Sequence, residues 1–150
     1  MKSLLFLLVL LISSRVIGAE GTIVTKSQQN FQDTVASIES ILTERNFTIF
    51  AVIDHSANAA TVNRELKPNT LFIFGNPNVG TPIMQNSASA GIDLPVKLHV
   101  YKKNGKTWIA YNDPSYLANR HKVSSKLKQL QMMGNALSTI VKEASTQSKN

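Results

Sequence analysis

The chain predicts an α+β domain: one mixed, largely antiparallel sheet with helices packed mainly on one face. Three observations carry that expectation. Val96–Lys102 and Lys106–Tyr111 alternate in polarity around Asn104-Gly105, the preferred turn of a two-residue hairpin. Leu127, Leu130, Gly134, Leu137, Val141 and Ala144 recur in steps of three and four, the stripe of a long amphipathic helix. Ahead of the hairpin, short apolar runs alternate with helical segments, which mixes strands and helices within one unit.

Lys2, the apolar run Leu4 to Ile12 and the stretch ending Val16-Ile17-Gly18-Ala19 have the make-up of a secretory signal peptide. The run is short for a bilayer span and Arg15 interrupts it, which argues against an uncleaved anchor. Residues 1–19 are therefore assigned to a signal peptide and 20–150 to a single domain. The expected location is periplasmic or secreted, with no membrane span after cleavage.

Gly21–Lys26 is β-branched and reads as the first strand. Asn30 caps the next segment, with Asp33 in the capping-box position, and Phe31, Val35, Ile38, Ile41 and Leu42 follow at helical spacing up to Asn46. Phe47–Ile53 is mostly apolar and suits a central strand covered on both sides for part of its length, ending in Asp54-His55. Ser56–Asn63 is Ala-rich and reads as a short helix. Thr70–Gly75 is a buried strand that breaks sharply at Gly75-Asn76-Pro77, and Val79–Ala90 is weakly helical. Asp93-Leu94-Pro95 closes that loop. In the hairpin the turn sets Val100 against Ile109 and Leu98 against Tyr111 on one face. Tyr101 meets Trp108, His99 meets Ala110 and Lys97 meets Asn112 on the other. Asp113 caps and Pro114 starts a further helix. The last helix is expected from Ser125 to Ala144, with Met133 and Ile140 widening its stripe.

The net charge of +7 is spread without a Lys/Arg run longer than two, and Lys2 and Arg15 leave with the signal. With the exported address, this argues against nucleic-acid binding. There is no cysteine, so disulfides, thiol catalysis and thiolate metal sites are excluded, and packing alone must hold the domain. No Gly-x-Ser-x-Gly elbow or phosphate loop occurs, and no serine shows a base partner in sequence.

The chain resembles the domain-of-unknown-function family 302. The resemblance is carried by Val52-Ile53-Asp54-His55 with Ala57 and Ala60, by Phe74-Gly75-Asn76-Pro77 with Gly80, and by Leu94-Pro95-Val96-Lys97. Tyr111-Asn112-Asp113-Pro114, Leu117-Ala118 and Arg120-His121 complete it. It implies a compact α/β domain, often dimeric, found alone or fused to other modules, and implies no established activity.

The polar residues at strand and helix ends form the candidate ligand-binding set: Asp54, His55, Asn76, Lys97, Asp113, Arg120 and His121. If their strands are neighbours, Asp54, His55 and Asn76 are expected to meet at one sheet edge. Turn chemistry at Asn76 and helix capping at Asp54 are the structural alternatives. Arg120, His121, Lys122, Lys126 and Lys128 crowd the expected start of the last helix, a setting for a small anion or an anionic membrane surface. The leading expectation is an exported homodimer that binds a small ligand or serves as an accessory domain, its aromatic hairpin face covered by the second copy. The alternatives are an acid–base enzyme using Asp54–His55 or Asp113–His121, and an envelope metal or haem binder. For a metal, His55, His99 and His121 would be joined by Met84 or Met132. No cofactor and no catalytic residue is assigned.

Overall fold

The computed structural model describes residues 19–146; the expected signal peptide, apart from Ala19, lies outside them. Strands β1 (Thr22–Lys26), β2 (Thr48–Asp54), β3 (Asn69–Gly75), β4 (Val96–Lys103) and β5 (Lys106–Asn112) form one sheet in the order β1-β5-β4-β3-β2. Every pairing in it is antiparallel. The helices are α1 (Phe31–Glu44), α2 (His55–Thr61), α3 (Pro77–Asn86), α4 (Pro114–His121) and α5 (Lys128–Thr146), with a 3₁₀ segment at Ala88–Ile92.

Local sequence dictates most of these elements. The Asn30 side chain caps α1 as expected, accepting from the Asp33 N–H at 2.9 Å, and its amide donates to the Asp33 carboxylate at 2.6 Å, so the return bond runs between side chains. Asn104 and Gly105 take φ of 52° and 73°, as a type I′ turn requires, and the hairpin pairs His99 with Ala110, Val100 with Ile109 and Tyr101 with Trp108. Asp113 caps α4 by accepting from Ser115 at 2.8 Å. Gly21 is held at φ +73° under the ring of Tyr116, where a Cβ would come within 2.2 Å of Tyr116 Cγ, so only glycine fits.

The core lies between the sheet and α1, α3, α4 and α5. Phe72, Phe74, Leu98, Val100 and Ile109 point into it from the strands, and Ile38, Leu42, Ile83, Leu137 and Ile140 meet them from the helices. The opposite sheet face carries Ala51, Ile53, Leu71, Ile73, His99, Tyr101 and Trp108, all only partly exposed. Helix α2 packs mainly on β3 and buries no residue.

Two expectations are corrected. β2 is an edge strand, not a central one, and β4 holds the centre. Its apolar sequence serves another purpose: a bulge between Ile49 and Ala51 leaves Phe50 without a partner on β3, 55% exposed. The last helix begins at Lys128, not Ser125, because Ser124–Leu127 makes a turn of its own, Leu127 N–H donating to Ser124 O at 2.9 Å.

Candidate functional site

The chain ends β3 with Gly75, caps α3 with Asn76 and opens that helix with Pro77. This abrupt change of direction swings α3 over the sheet end towards α5. The two helices and the ends of β2, β3 and β4 do not close completely. Between them lies a cavity of about 450 Å³, within the range of small-molecule sites. Phe47, just before β2, and Phe50 and Phe74 on the strands wall it on one side, and Val79, Met84, Met132 and Leu137 from the helices. Asn76 and Thr81 are the polar side chains of its lining. Asn76 Oδ1 already accepts from the Asn78 N–H at 2.9 Å, which leaves the side-chain amide to donate.

The methionines show how the cavity is finished. All three that follow Met1 (Met84, Met132 and Met133) line it. Met84 and Met132 are 37% and 45% exposed, at the opening, whereas Met133 is buried in the wall. Unbranched thioether chains fill irregular space and shift at little cost, so such a mouth accepts ligands of varied shape. The bulged Phe50 leans over the same opening.

A second cluster is built from charged groups. Asp93, in the loop before β4, receives His121 Nε2 at 2.6 Å and Arg120 at 3.1 and 3.2 Å. Lys97 Nζ donates to the backbone carbonyls of Asp93 and Pro95 at 3.2 and 3.1 Å. On the other side of the His121 ring, Ser89 Oγ stands 3.0 Å from Nδ1, and Ser87 Oγ donates to the His121 carbonyl at 2.7 Å. His121 is 8% exposed. The cluster ties the end of α4 to the 3₁₀ segment.

The third group lies on the open sheet face. His55, the first residue of α2, approaches His99 edge-to-face with ring centroids 6.4 Å apart, and Tyr101 stacks on His99 at 4.9 Å. His99 Nε2 lies 2.6 Å from Asn69 Oδ1. Burial lowers the His99 pKa below the ordinary histidine value, and His55 adds to the effect.

The seven residues singled out from sequence thus go to different places. Asp54, Asn76 and Asp113 each cap a helix, and hydrogen bonds from the Ala57 N–H and the Ser56 hydroxyl hold the Asp54 carboxyl below its usual range. Lys97, Arg120 and His121 converge on Asp93, and His55 joins His99. The expected meeting of Asp54 and His55 with Asn76 does not occur. β2 and β3 are indeed neighbours, but they run antiparallel, so Asp54 pairs with Thr70 at the start of β3 while Asn76 follows its end. Seven residues of strand, roughly 20 Å, separate them. Nor does Asp113 pair with His121, whose carboxylate partner is Asp93. Arg120 and His121 do not flank the start of α5 as free cations; both face that carboxylate at the end of α4. Of the three histidines, His55 and His99 approach each other and His121 stands apart. Among the described residues no group of three His, Asp or Glu side chains is placed to hold a metal ion.

Sequence reasoning missed Asp93 and Ser89. Asp93 stands before Leu94-Pro95 and reads as turn chemistry, and Ser89 lies in a small-residue stretch with no local pattern. Only the packing of α4 on the 3₁₀ segment unites them.

The architecture defines the class of protein to which the chain belongs. The family model described as "Domain of unknown function DUF302" matches residues 23–142, and the chain is a member of that family. A crystal structure titled as an uncharacterized conserved protein DUF302 from Bacillus stearothermophilus has the same fold. Its TM-score is 0.74 at 17% identity, over 84% of this chain and 99% of that one. The chain is also 33% identical over 102 residues to "Fluoride-specific ion channel FluC 1" of Brucella suis biovar 1 (strain 1330). A protein of the same name from Brucella abortus biovar 1 (strain 9-941) matches equally well. Each match covers 67% of this chain, which spans only 40% and 38% of the lengths of those relatives. Among the described residues no helix is long and apolar enough to cross a membrane.

Proposed function

We propose that this protein is an exported, homodimeric accessory module that binds a compact apolar or amphiphilic molecule in the cavity between β3, α3 and α5. The observation that carries the reading is the cavity itself: about 450 Å³ walled by aromatic, methionine and aliphatic side chains, with Asn76 and Thr81 as its polar points. A ligand with one acceptor group would orient on the Asn76 amide and leave its apolar body to the methionines. A small anion at Arg120 and His121 is not the ligand of this reading, because Asp93 already engages both.

The accessory role is supported by the relatives. There the similar stretch makes up about two-fifths of chains named as fluoride-specific ion channels. Here that stretch has no described helix able to span a membrane. We therefore read it as a water-exposed module carried alongside the channel, not as the pore. The dimer reading rests on the open sheet face, where Ile53, Leu71, Ile73, Tyr101 and Trp108 lie side by side and a second copy would cover them. Export rests on the first 19 residues, as read from the sequence.

Native mass spectrometry of the protein, purified gently from the periplasm, tests the three parts together. The expected species is a dimer of chains that begin at Glu20, with an added small mass lost in Ala136→Phe, which narrows the cavity. A monomer contradicts the sheet-face dimer, an intact N-terminus contradicts export, and an added mass retained by Ala136→Phe contradicts the cavity site.

A further inference from the structure

The fold brings a hydroxyl, an imidazole and a carboxylate into line at a place that cavity binding does not use. Ser89 Oγ is 3.0 Å from His121 Nδ1, and His121 Nε2 is 2.6 Å from Asp93 Oδ2. A carboxylate only accepts hydrogen bonds, so Nε2 carries the ring proton. In the neutral ring Nδ1 is then an acceptor, and the Ser89 hydroxyl donates to it. Ser87 Oγ lies 3.2 Å from Ser89 Oγ, but its own proton goes to the His121 carbonyl, so it does not donate to the Ser89 oxygen.

The three members differ in burial in the way a nucleophilic site needs. His121 is 8% exposed and the Asp93 side chain 15%, so base and orienting group are shielded, while Ser89 is exposed. Arg120 Nη1 donates to both oxygens of the Asp93 carboxylate, at 3.1 and 3.2 Å, which fixes that group against the imidazole. Among the described residues there are no buried side-chain polar atoms without a partner, so the cluster is complete as it stands.

We propose that Ser89, His121 and Asp93 form a nucleophilic triad that cleaves small uncharged acyl esters. In the first step the Ser89 proton passes to His121 Nδ1 as Oγ bonds to the ester carbonyl carbon. The C–O bond to the alcohol then breaks, and the leaving oxygen takes the proton from Nδ1. In the second step water gives a proton to Nδ1 and attacks the acyl-serine, whose Oγ leaves and recovers that proton. The balance is ester plus water to acid plus alcohol, with no oxidant or further cofactor. The substrate class follows from the surroundings. Arg120 and Lys97 are engaged by Asp93 and the 93–95 loop, so neither is left to select a charged substrate.

The experiment treats the intact protein with diisopropyl fluorophosphate, locates the adduct by peptide mass spectrometry, and follows p-nitrophenyl acetate hydrolysis in the wild type and Ser89→Ala. One adduct per chain on the Ser89 peptide is expected, with an ester hydrolysis rate at least about 100-fold lower in Ser89→Ala. Ser89 is exposed, so the variant should fold, and a melting curve checks this. Absence of the Ser89 adduct, or hydrolysis by Ser89→Ala at the wild-type rate, overturns the triad. Neither readout depends on the cavity, so the two proposals fail separately.

Discussion

Leu94 lines the apolar cavity and Asp93, its neighbour, centres the charged cluster, yet the two regions follow opposite rules. Around Asp93 every polar group has a partner. Arg120 and His121 meet the carboxylate, Lys97 meets the loop carbonyls, and Ser87 and Ser89 close the far side. Around Leu94 there is room, about 450 Å³ of it, and few polar groups to fill it. The residues that attract the eye in the sequence are therefore mainly fastenings. The opening is made by residues that read as core: Phe47, Phe50, Met84, Met132 and Met133. Buried charge must be paired to be tolerated, whereas apolar side chains that stop short of one another leave a space whose cost rises with its volume and which a ligand can fill.

That contrast is broken most strongly at Asp93. Asp93→Ala leaves the shielded His121 and the half-exposed Arg120 facing no carboxylate, and a loss of about 2 kcal/mol is expected. The melting temperature should fall by several degrees while affinity for an apolar dye changes little. If dye affinity collapses with it, the two regions are not independent. Ala136→Phe is the converse case. It should reduce dye affinity at least about tenfold, or 1.4 kcal/mol, and leave the melting temperature near that of the wild type.

Asn76 has two roles on the cavity side, as cap of α3 and as polar point of the lining. Asn76→Ala should cost about 1 kcal/mol in urea unfolding through the cap alone. Asn76→Asp keeps the cap acceptor but removes the free amide, so it should spare stability and weaken ligands that carry an acceptor. Equal effects of both variants on ligand binding, with Asp as stable as the wild type, would place the amide in the site.

The smallest expected effect lies on the open sheet face. His99 has its pKa lowered by burial, with His55 adding to it, and Asn69 and Tyr101 complete its surroundings. As pH falls, the unfolded chain takes up this proton first, at the ordinary histidine value. The stability contributed by neutral His99 is therefore present above that value and is lost as pH falls through it towards the folded pKa. Urea midpoints from pH 8 to 5 should decline, and His99→Gln should flatten the decline. An unchanged slope in that variant would assign the effect to another group.

Much of the fold was legible because its signals are local. The Asn30–Asp33 cap, the Asn104-Gly105 turn with its register, the Asp113-Pro114 start and the stripe through Leu130, Leu137 and Val141 each need only a few neighbouring residues. What was not legible depends on strand order and direction. The apolar run of β2 reads as central because composition cannot show that Phe50 is bulged out to a cavity and not packed within the sheet. Asp54 and Asn76 read as one site because strand ends look alike until direction is known. Asp93 finds Arg120 and His121 across 27 and 28 residues, a separation that leaves no pattern in sequence.

The most direct test is fluorescence titration of the purified protein with 1-aminoanthracene, a small, nearly apolar dye, beside Ala136→Phe. Saturable uptake of one dye per chain, weakened at least about tenfold in the variant, is the result this account predicts. No saturable uptake by the folded wild type, or uptake that Ala136→Phe leaves unchanged, would contradict it.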